Sequence, residues 1–389
     1  MSSFRGRALR ALSPLLLIAF SIGLGYAILE FAFFRLLLPQ LSVELMPFLP
    51  GSASVLVQDS KSGFQPRNYV ALLGDSYALG VGDWLLEARS KGTKPFHSAH
   101  IIQAATGRDV VSFGREGYGS AQALVYEPSR IFPDPPCWAL PVIEPPRDMF
   151  VYFYEGNDVN DDAAVVTYAG RAFGREDERA IANYLKEDLA FTPSWWQCRT
   201  HLAAAIERMA MFAYQVRIRG VTLPVNRPIE NTLVVAGRRV GAPALQGPAL
   251  NFARAGIERA MPVLGQSLAW ITERLPRVPI TVVYLPSPLS VYRHAGDTVA
   301  YQLRAEPSTA VPAARVTEHS DLICSMVRAV SVRRQVGFLD TRPALRAAAA
   351  TTVIHGPRDW YHFNEAGYRV LGNLIVERLR SGGGPDACS

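Results

Sequence analysis

Cysteine, charge and basic runs are all scarce in this chain. Four cysteines in 389 residues are too few for a scaffold built on disulfides. Charged residues make up 19% against 49% hydrophobic, a balance that can bury a core and excludes extensive disorder. No block of five or more Lys and Arg occurs, although the net charge is +6. The basic residues are scattered, so charge gives no sign of a nucleic-acid partner. Internal repeats and low-complexity tracts are absent as well. A mean hydropathy of +0.08 is too polar for a polytopic membrane protein. What remains is a folded chain long enough for one large or two ordinary domains.

One long apolar run is present. Residues 11–29 (ALSPLLLIAFSIGLGYAIL) carry no charge, and about 20 apolar residues suffice to span a bilayer as a helix. The run exceeds the ~7–15 residues of a cleaved signal core. Arg5, Arg7 and Arg10 precede it, and Arg35 alone follows before Lys61. That asymmetry predicts a cytoplasmic tail (1–10), a single transmembrane anchor (11–38) in an inner (plasma) membrane and the remainder on the periplasmic, extracytoplasmic side. Residues 39–66 read as a linker.

From residue 67 the pattern is α/β. Five short apolar runs read as buried parallel strands: 69–73 (YVALL), 109–113 (DVVSF), 149–154 (MFVYFY), 280–285 (ITVVYL) and 336–339 (VGFL). Stripes of helical period occupy 252–275 and 320–334. Two stretches break the alternation. Residues 126–147 are dense in proline and read as loop. Residues 160–250 read as an insertion, with helices near 176–189 and 198–219 and a hairpin turning at Ala236-Gly237. Strands alternating with helices predict a parallel sheet, which binds ligands at the carboxyl ends of its strands.

Those strand ends hold the chemistry. The first ends in Gly74-Asp75-Ser76, which presents a hydroxyl at the sheet edge. The second ends in Gly114-Arg115-Glu116-Gly117-Tyr118-Gly119, a turn whose backbone N–H groups can face a ligand. The third ends in Gly156-Asn157-Asp158, where an amide can donate to an oxyanion. Asp359 and His362 stand three apart just before the last helix. These residues supply a nucleophile, a base, a carboxylate to orient the base and two oxyanion donors.

In that order and at those places, the motifs resemble the SGNH (GDSL-type) hydrolase superfamily over roughly residues 69–380. The resemblance implies a three-layer α/β/α, flavodoxin-like parallel sheet. It implies Ser76 as nucleophile, His362 as base, Asp359 as its partner, and Gly117 (Gly114 the alternative) and Asn157 in the oxyanion hole. The chain departs from the family pattern at Glu155, where the first Gly of GxND is expected. It also departs at Ser112, in place of an Asn, and at Tyr77, in place of the Leu of GDSL. A G-x-S-x-G elbow is absent, against an ordinary α/β-hydrolase. The implied activity is a serine esterase acting on ester-linked acyl groups of carbohydrate or lipid. The alternative is an O-acyltransferase to envelope polysaccharide, fed by a membrane acyl-donor partner. A non-catalytic binding module is the third reading. No cofactor or metal is called for. Asp75 and Asp158 read as braces for their loops, and Arg115 and Glu116 as solvated loop. Trp195-Trp196 reads as core and Cys324 as a buried thiol. Cys137 and Cys198 are candidates to pair.

Overall fold

The computed structural model describes residues 2–32, 36, 49, 51–91, 97–132, 142–192, 228–303, 306–382 and 386–388. Its strands are β1 (Val70–Leu73), β2 (Val110–Ser112), β3 (Asp148–Tyr154), β4 (Asn231–Val235), β5 (Arg238–Ala242), β6 (Ile280–Leu285), β7 (Arg293–His294), β8 (Thr298–Tyr301), β9 (Thr309–Pro312) and β10 (Gly337–Asp340). The helices that matter here are α1 (Ser2–Ala32), α2 (Ser76–Leu79), α3 (His97–Thr106), α4 (Asp158–Phe173), α5 (Arg254–Arg274), α6 (Ala313–Arg333) and α7 (Glu365–Ser381).

Five strands form one sheet in the order β10-β6-β3-β1-β2, with every neighbouring pair parallel. These are the five apolar runs read from the sequence. Side chains alternate across a strand with period two, so each run feeds both faces. Ala71, Leu73, Val111, Val151, Phe153 and Val282 pack with Ile257 and Leu264 of α5 and Ile323 and Val327 of α6. Val70, Leu72, Val110, Tyr152 and Val283 pack with Ala99 and Ile102 of α3 and Leu371 and Ile375 of α7. Burying both faces explains why the strands read as continuous apolar runs. Because β1 lies between β2 and β3, the chain leaves it in opposite directions, which opens a crevice at the carboxyl ends.

The segment before β1 is tied into this core. Ala53, Val55 and Leu56 are buried. The Gln58 amide donates to Ser112 O (2.7 Å) and accepts from Ser112 N–H (2.7 Å), which occupies backbone groups of the edge strand β2. The α4 helix, which runs into the 160–250 stretch, buries Val159, Val165 and Val166. The predicted hairpin is β4–β5, and Ala236 and Gly237 both have positive φ (50° and 73°), as a type I′ turn requires. The helix expected at 198–219, Trp195-Trp196, Cys137 and Cys198 lie outside the described residues.

Three expectations are corrected. The proline-dense stretch is not loop throughout, because Glu127–Ile131 is helical, and Pro128 in its first turn gives up an N–H that has no helical partner anyway. Cys324 is not a thiol, since it forms a disulfide with Cys388. The membrane anchor is the third. The described apolar side chains of α1 run from Leu16 to Leu29, about 21 Å at 1.5 Å per residue, before Glu30 intervenes. A hydrocarbon core is about 30 Å thick. Among the described residues no helix is long and apolar enough to cross a membrane, which overturns the single-pass placement and the periplasmic assignment drawn from it.

Candidate active site

Ser76 opens α2 directly after β1. Gly74 makes the approach possible: its φ is +145°, and a Cβ there would meet Tyr152 Cβ at 2.9 Å. Asp75 caps the turn by accepting from Tyr77 N–H (2.9 Å), an Asx cap that fixes the backbone carrying Ser76. Ser76 Oγ then lies 2.8 Å from His362 Nε2, and His362 Nδ1 lies 2.6 Å from Asp359 Oδ2. The chain Ser76–His362–Asp359 is thus hydrogen-bonded end to end. Burial opposes charge on both partners of the inner pair, but their mutual attraction and hydrogen bond outweigh it. The Asp359 carboxyl is held down at about 2. The His362 imidazole is raised above its ordinary value, with Asp75 and Glu116 adding to the pull of Asp359.

The loop that carries this pair is clamped from several sides. Asp83 accepts from Arg358 N–H (3.0 Å) and Asp359 N–H (2.9 Å), one on each oxygen. Asp359 Oδ1 accepts from Tyr361 N–H (2.9 Å). The Tyr77 hydroxyl donates to Tyr361 O (2.6 Å), and its ring lies 5.3 Å from that of His362. Tyr77, the departure from GDSL, therefore packs against the His362 ring. Asn364 closes the loop by capping α7, accepting from Ala366 N–H (3.0 Å) and donating to Val353 O (2.9 Å).

The two expected oxyanion elements flank β1. After β2, the N–H of Gly114 is taken by Ser112 Oγ (3.1 Å), and a Cβ at Gly114 would meet Leu79 N at 2.3 Å. Gly114 is a packing glycine, and this leaves Gly117 as the one of the two in an open, left-handed turn (φ +74°). Arg115 is not solvated as expected. Its guanidinium is buried and pairs with Glu127 (2.9 Å), which also holds Arg130 (3.2 Å), and its N–H reaches Gly74 O (3.2 Å). The turn is thereby fastened to the loop that carries Ser76.

After β3, Glu155 points away from the site. Its carboxylate accepts from Tyr284 Oη (2.5 Å), Ser287 N–H (2.7 Å), Ser287 Oγ (2.7 Å), Ser320 Oγ (2.7 Å) and Ser290 Oγ. Gly156 O accepts from the Gln246 amide (3.0 Å), whose oxygen accepts from Tyr154 Oη (3.0 Å). Asn157 follows, half-buried, with its Nδ2 donating to Asp161 Oδ2 (3.2 Å). Asp158 accepts from Tyr154 N–H (2.9 Å), a loop brace as expected. Burial raises both Asp75 and Asp158, with the charge of Asp161 adding to the rise at Asp75 and that of Asp75 to the rise at Asp158.

Sequence reasoning missed Asp83, Gln246, Glu127 and Asp161. Only Asp161 left a signal, its i+4 spacing from Asn157 at the start of a helix. Asp83 and Gln246 come from segments remote in sequence from the loops they hold, and Glu127 from the proline-dense stretch.

No protein-family model matches the chain, and no curated protein matches it. Solved structures do resemble it. An extracellular lipase from Streptomyces rimosus shares 17% identity at a TM-score of 0.39, over 80% of this chain and 98% of that one. A phospholipase A1 from Streptomyces albidoflavus shares 16% at 0.35, over 80% and 98%. A carbohydrate acetylesterase family member from Sinorhizobium meliloti shares 13% at 0.31, over 81% and 99%.

Proposed function

We propose that the chain is an SGNH-type serine acyl hydrolase with a three-layer α/β/α core, acting on ester-linked acyl groups of carbohydrate or lipid. The observation that carries this reading is the unbroken hydrogen-bonded chain from Ser76 Oγ through His362 to Asp359. Ser76 Oγ attacks the ester carbonyl carbon while His362 Nε2 takes its proton. Asp359 holds Nδ1–H, so the tautomer is the one that can accept at Nε2, and it stabilises the imidazolium that forms. The carbonyl oxygen becomes an oxyanion, received by Ser76 N–H, Gly117 N–H and Asn157 Nδ2. Collapse expels the alcohol, which takes the proton from His362. Water then attacks acyl-Ser76 with its proton going to His362; collapse breaks the acyl–Oγ bond, Ser76 Oγ takes that proton back from His362, and the acid leaves. Attack by a sugar hydroxyl in place of water would make the same intermediate a transferase step.

The test is hydrolysis of p-nitrophenyl acetate, with and without an oligosaccharide acceptor. Ser76→Ala is expected to cost about 10⁴-fold or more in kcat, His362→Ala about as much, and the double variant little more. Losses that multiply would show that the two residues do not act as one unit. Acylated oligosaccharide in the product would move the assignment to the transferase.

A further inference from the structure

Asn is among the residues most favoured to cap a helix with its side chain. Asn157 stands at that position of α4 (φ −131°, ψ −28°), and its side chain makes no capping bond. The amide is instead turned sideways. Nδ2 donates to Asp161 Oδ2, one helical turn on, while Oδ1 is buried with no hydrogen-bond partner. A flipped amide would set Oδ1 against the carboxylate oxygen at 3.2 Å, two acceptors facing each other with no proton between them. Only one orientation is therefore compatible with a carboxylate at 161. In that orientation one amide N–H is held and the second is left for a ligand.

Asp161 also stands against the opposite oxyanion element. A Cβ at Gly119 would meet Asp161 Cβ at 2.7 Å, so the turn containing Gly117 closes directly onto this residue. The next residue, Asp162, completes the junction by accepting from Ser120 N–H (3.1 Å) and Ser120 Oγ (2.7 Å). The first turn of α4 thus sets the position of the Gly117 turn and the orientation of the Asn157 amide together.

We propose that Asp161 is a positioning residue that fixes the Asn157 amide with Nδ2, rather than Oδ1, toward the oxyanion. The inference rests on the reading of Asn157 as an oxyanion donor. Asp161 touches neither substrate nor nucleophile in this account; it acts through Asn157. Asp161→Ala removes the discrimination between the two amide orientations. Asp161→Asn weakens it, because a second amide can meet either face.

The experiment measures kcat and KM on p-nitrophenyl acetate for the full chain and its variants at matched thermal stability. Asp161→Ala is expected to lower kcat by about 10-fold with KM unchanged, the order a small misplacement of a catalytic group costs. Asp161→Asn should lie between it and the parent. In an Asn157→Ala background, Asp161→Ala should change kcat by less than about 2-fold, because residues acting through one group are not additive. Should Asp161→Ala fail to fold, the Asp161→Asn pair in the two backgrounds decides the matter alone. A parent-like kcat for both Asp161 variants, or a loss undiminished in the Asn157→Ala background, overturns the inference. An unchanged kcat for Asn157→Ala would instead overturn the oxyanion reading of Asn157 itself.

Discussion

Replacing Glu155 by Gly restores the residue the SGNH motif leads one to expect, and it should damage this protein. Glu155 is fully buried and accepts hydrogen bonds from Tyr284, Ser287, Ser290 and Ser320. Some of these donors have somewhere else to turn. Tyr284 Oη also lies 3.0 Å from Ser320 O, and Ser290 Oγ lies 3.0 Å from Ser287 O. Ser287 N–H and Ser320 Oγ have no such second acceptor in the cluster. Two hydrogen bonds to a charged acceptor, at roughly 1.5–3 kcal/mol each, make about 4 kcal/mol, and the added glycine entropy costs about 0.5–1 kcal/mol more. The cavity left by the side chain adds to this. Recovering the cost of burying the carboxylate offsets part of it, so a net loss of about 4 kcal/mol is expected, a large share of the ~5–15 kcal/mol that holds a domain. Glu155→Gln should cost less, since it keeps one acceptor oxygen. Urea denaturation followed by circular dichroism measures both. A Glu155→Gly variant within about 1 kcal/mol of the parent would refute the argument, because it would mean that the cluster repacks without its acceptor.

Three further outcomes follow from the same geometry. Asp83→Ala frees the two backbone N–H groups that position Asp359; kcat should fall about 10- to 100-fold with KM little changed, and a parent-like kcat would remove Asp83 from the positioning of the loop. His362 must be neutral to accept the Ser76 proton, and its pKa is raised, so kcat/KM should be lost as pH falls through a value above 6.5. Glu116 contributes to that rise from an exposed position, so Glu116→Gln or added salt should move the acid limb to lower pH and leave the plateau intact; a limb that does not move assigns the shift to Asp359 and Asp75 alone. Folding linkage has the opposite sign for the two triad partners: stability from His362 is lost as pH rises through its raised value, and stability from Asp359 is lost as pH falls toward about 2, which chemical denaturation of His362→Ala and Asp359→Asn across pH separates.

Much of the core was legible because a parallel sheet covered on both faces writes continuous apolar runs. Each of the five runs became a strand, and 280–285 did so without a shift in its ends. The end of the first strand and the turn before the last helix carried the residues now joined as Ser76–His362–Asp359, because motif chemistry is local in sequence. What supports them is not local. Asp83 reaches the loop after residue 355 across more than 270 positions, Gln246 reaches Gly156 from the 160–250 stretch, and Glu127 fastens Arg115 from a segment whose prolines read as loop. No periodicity announces such contacts. Glu155 shows the same limit from the other side: in sequence it is a departure from the motif two residues before Asn157, but just past β3 its side chain enters a buried cluster with Tyr284, Ser287, Ser290 and Ser320. The apolar N-terminal run became a helix, yet hydropathy alone overstated it, since its described apolar portion is too short to cross a membrane.

The central claim is that Ser76 is a nucleophile activated by His362. A fluorophosphonate reacts only with an activated serine, so labelling followed by peptide mass spectrometry tests the claim directly. The account predicts one adduct per chain, on the peptide carrying Ser76, formed far more slowly after His362→Ala and absent after Ser76→Ala. An adduct on another serine, or a labelling rate indifferent to His362, would contradict it.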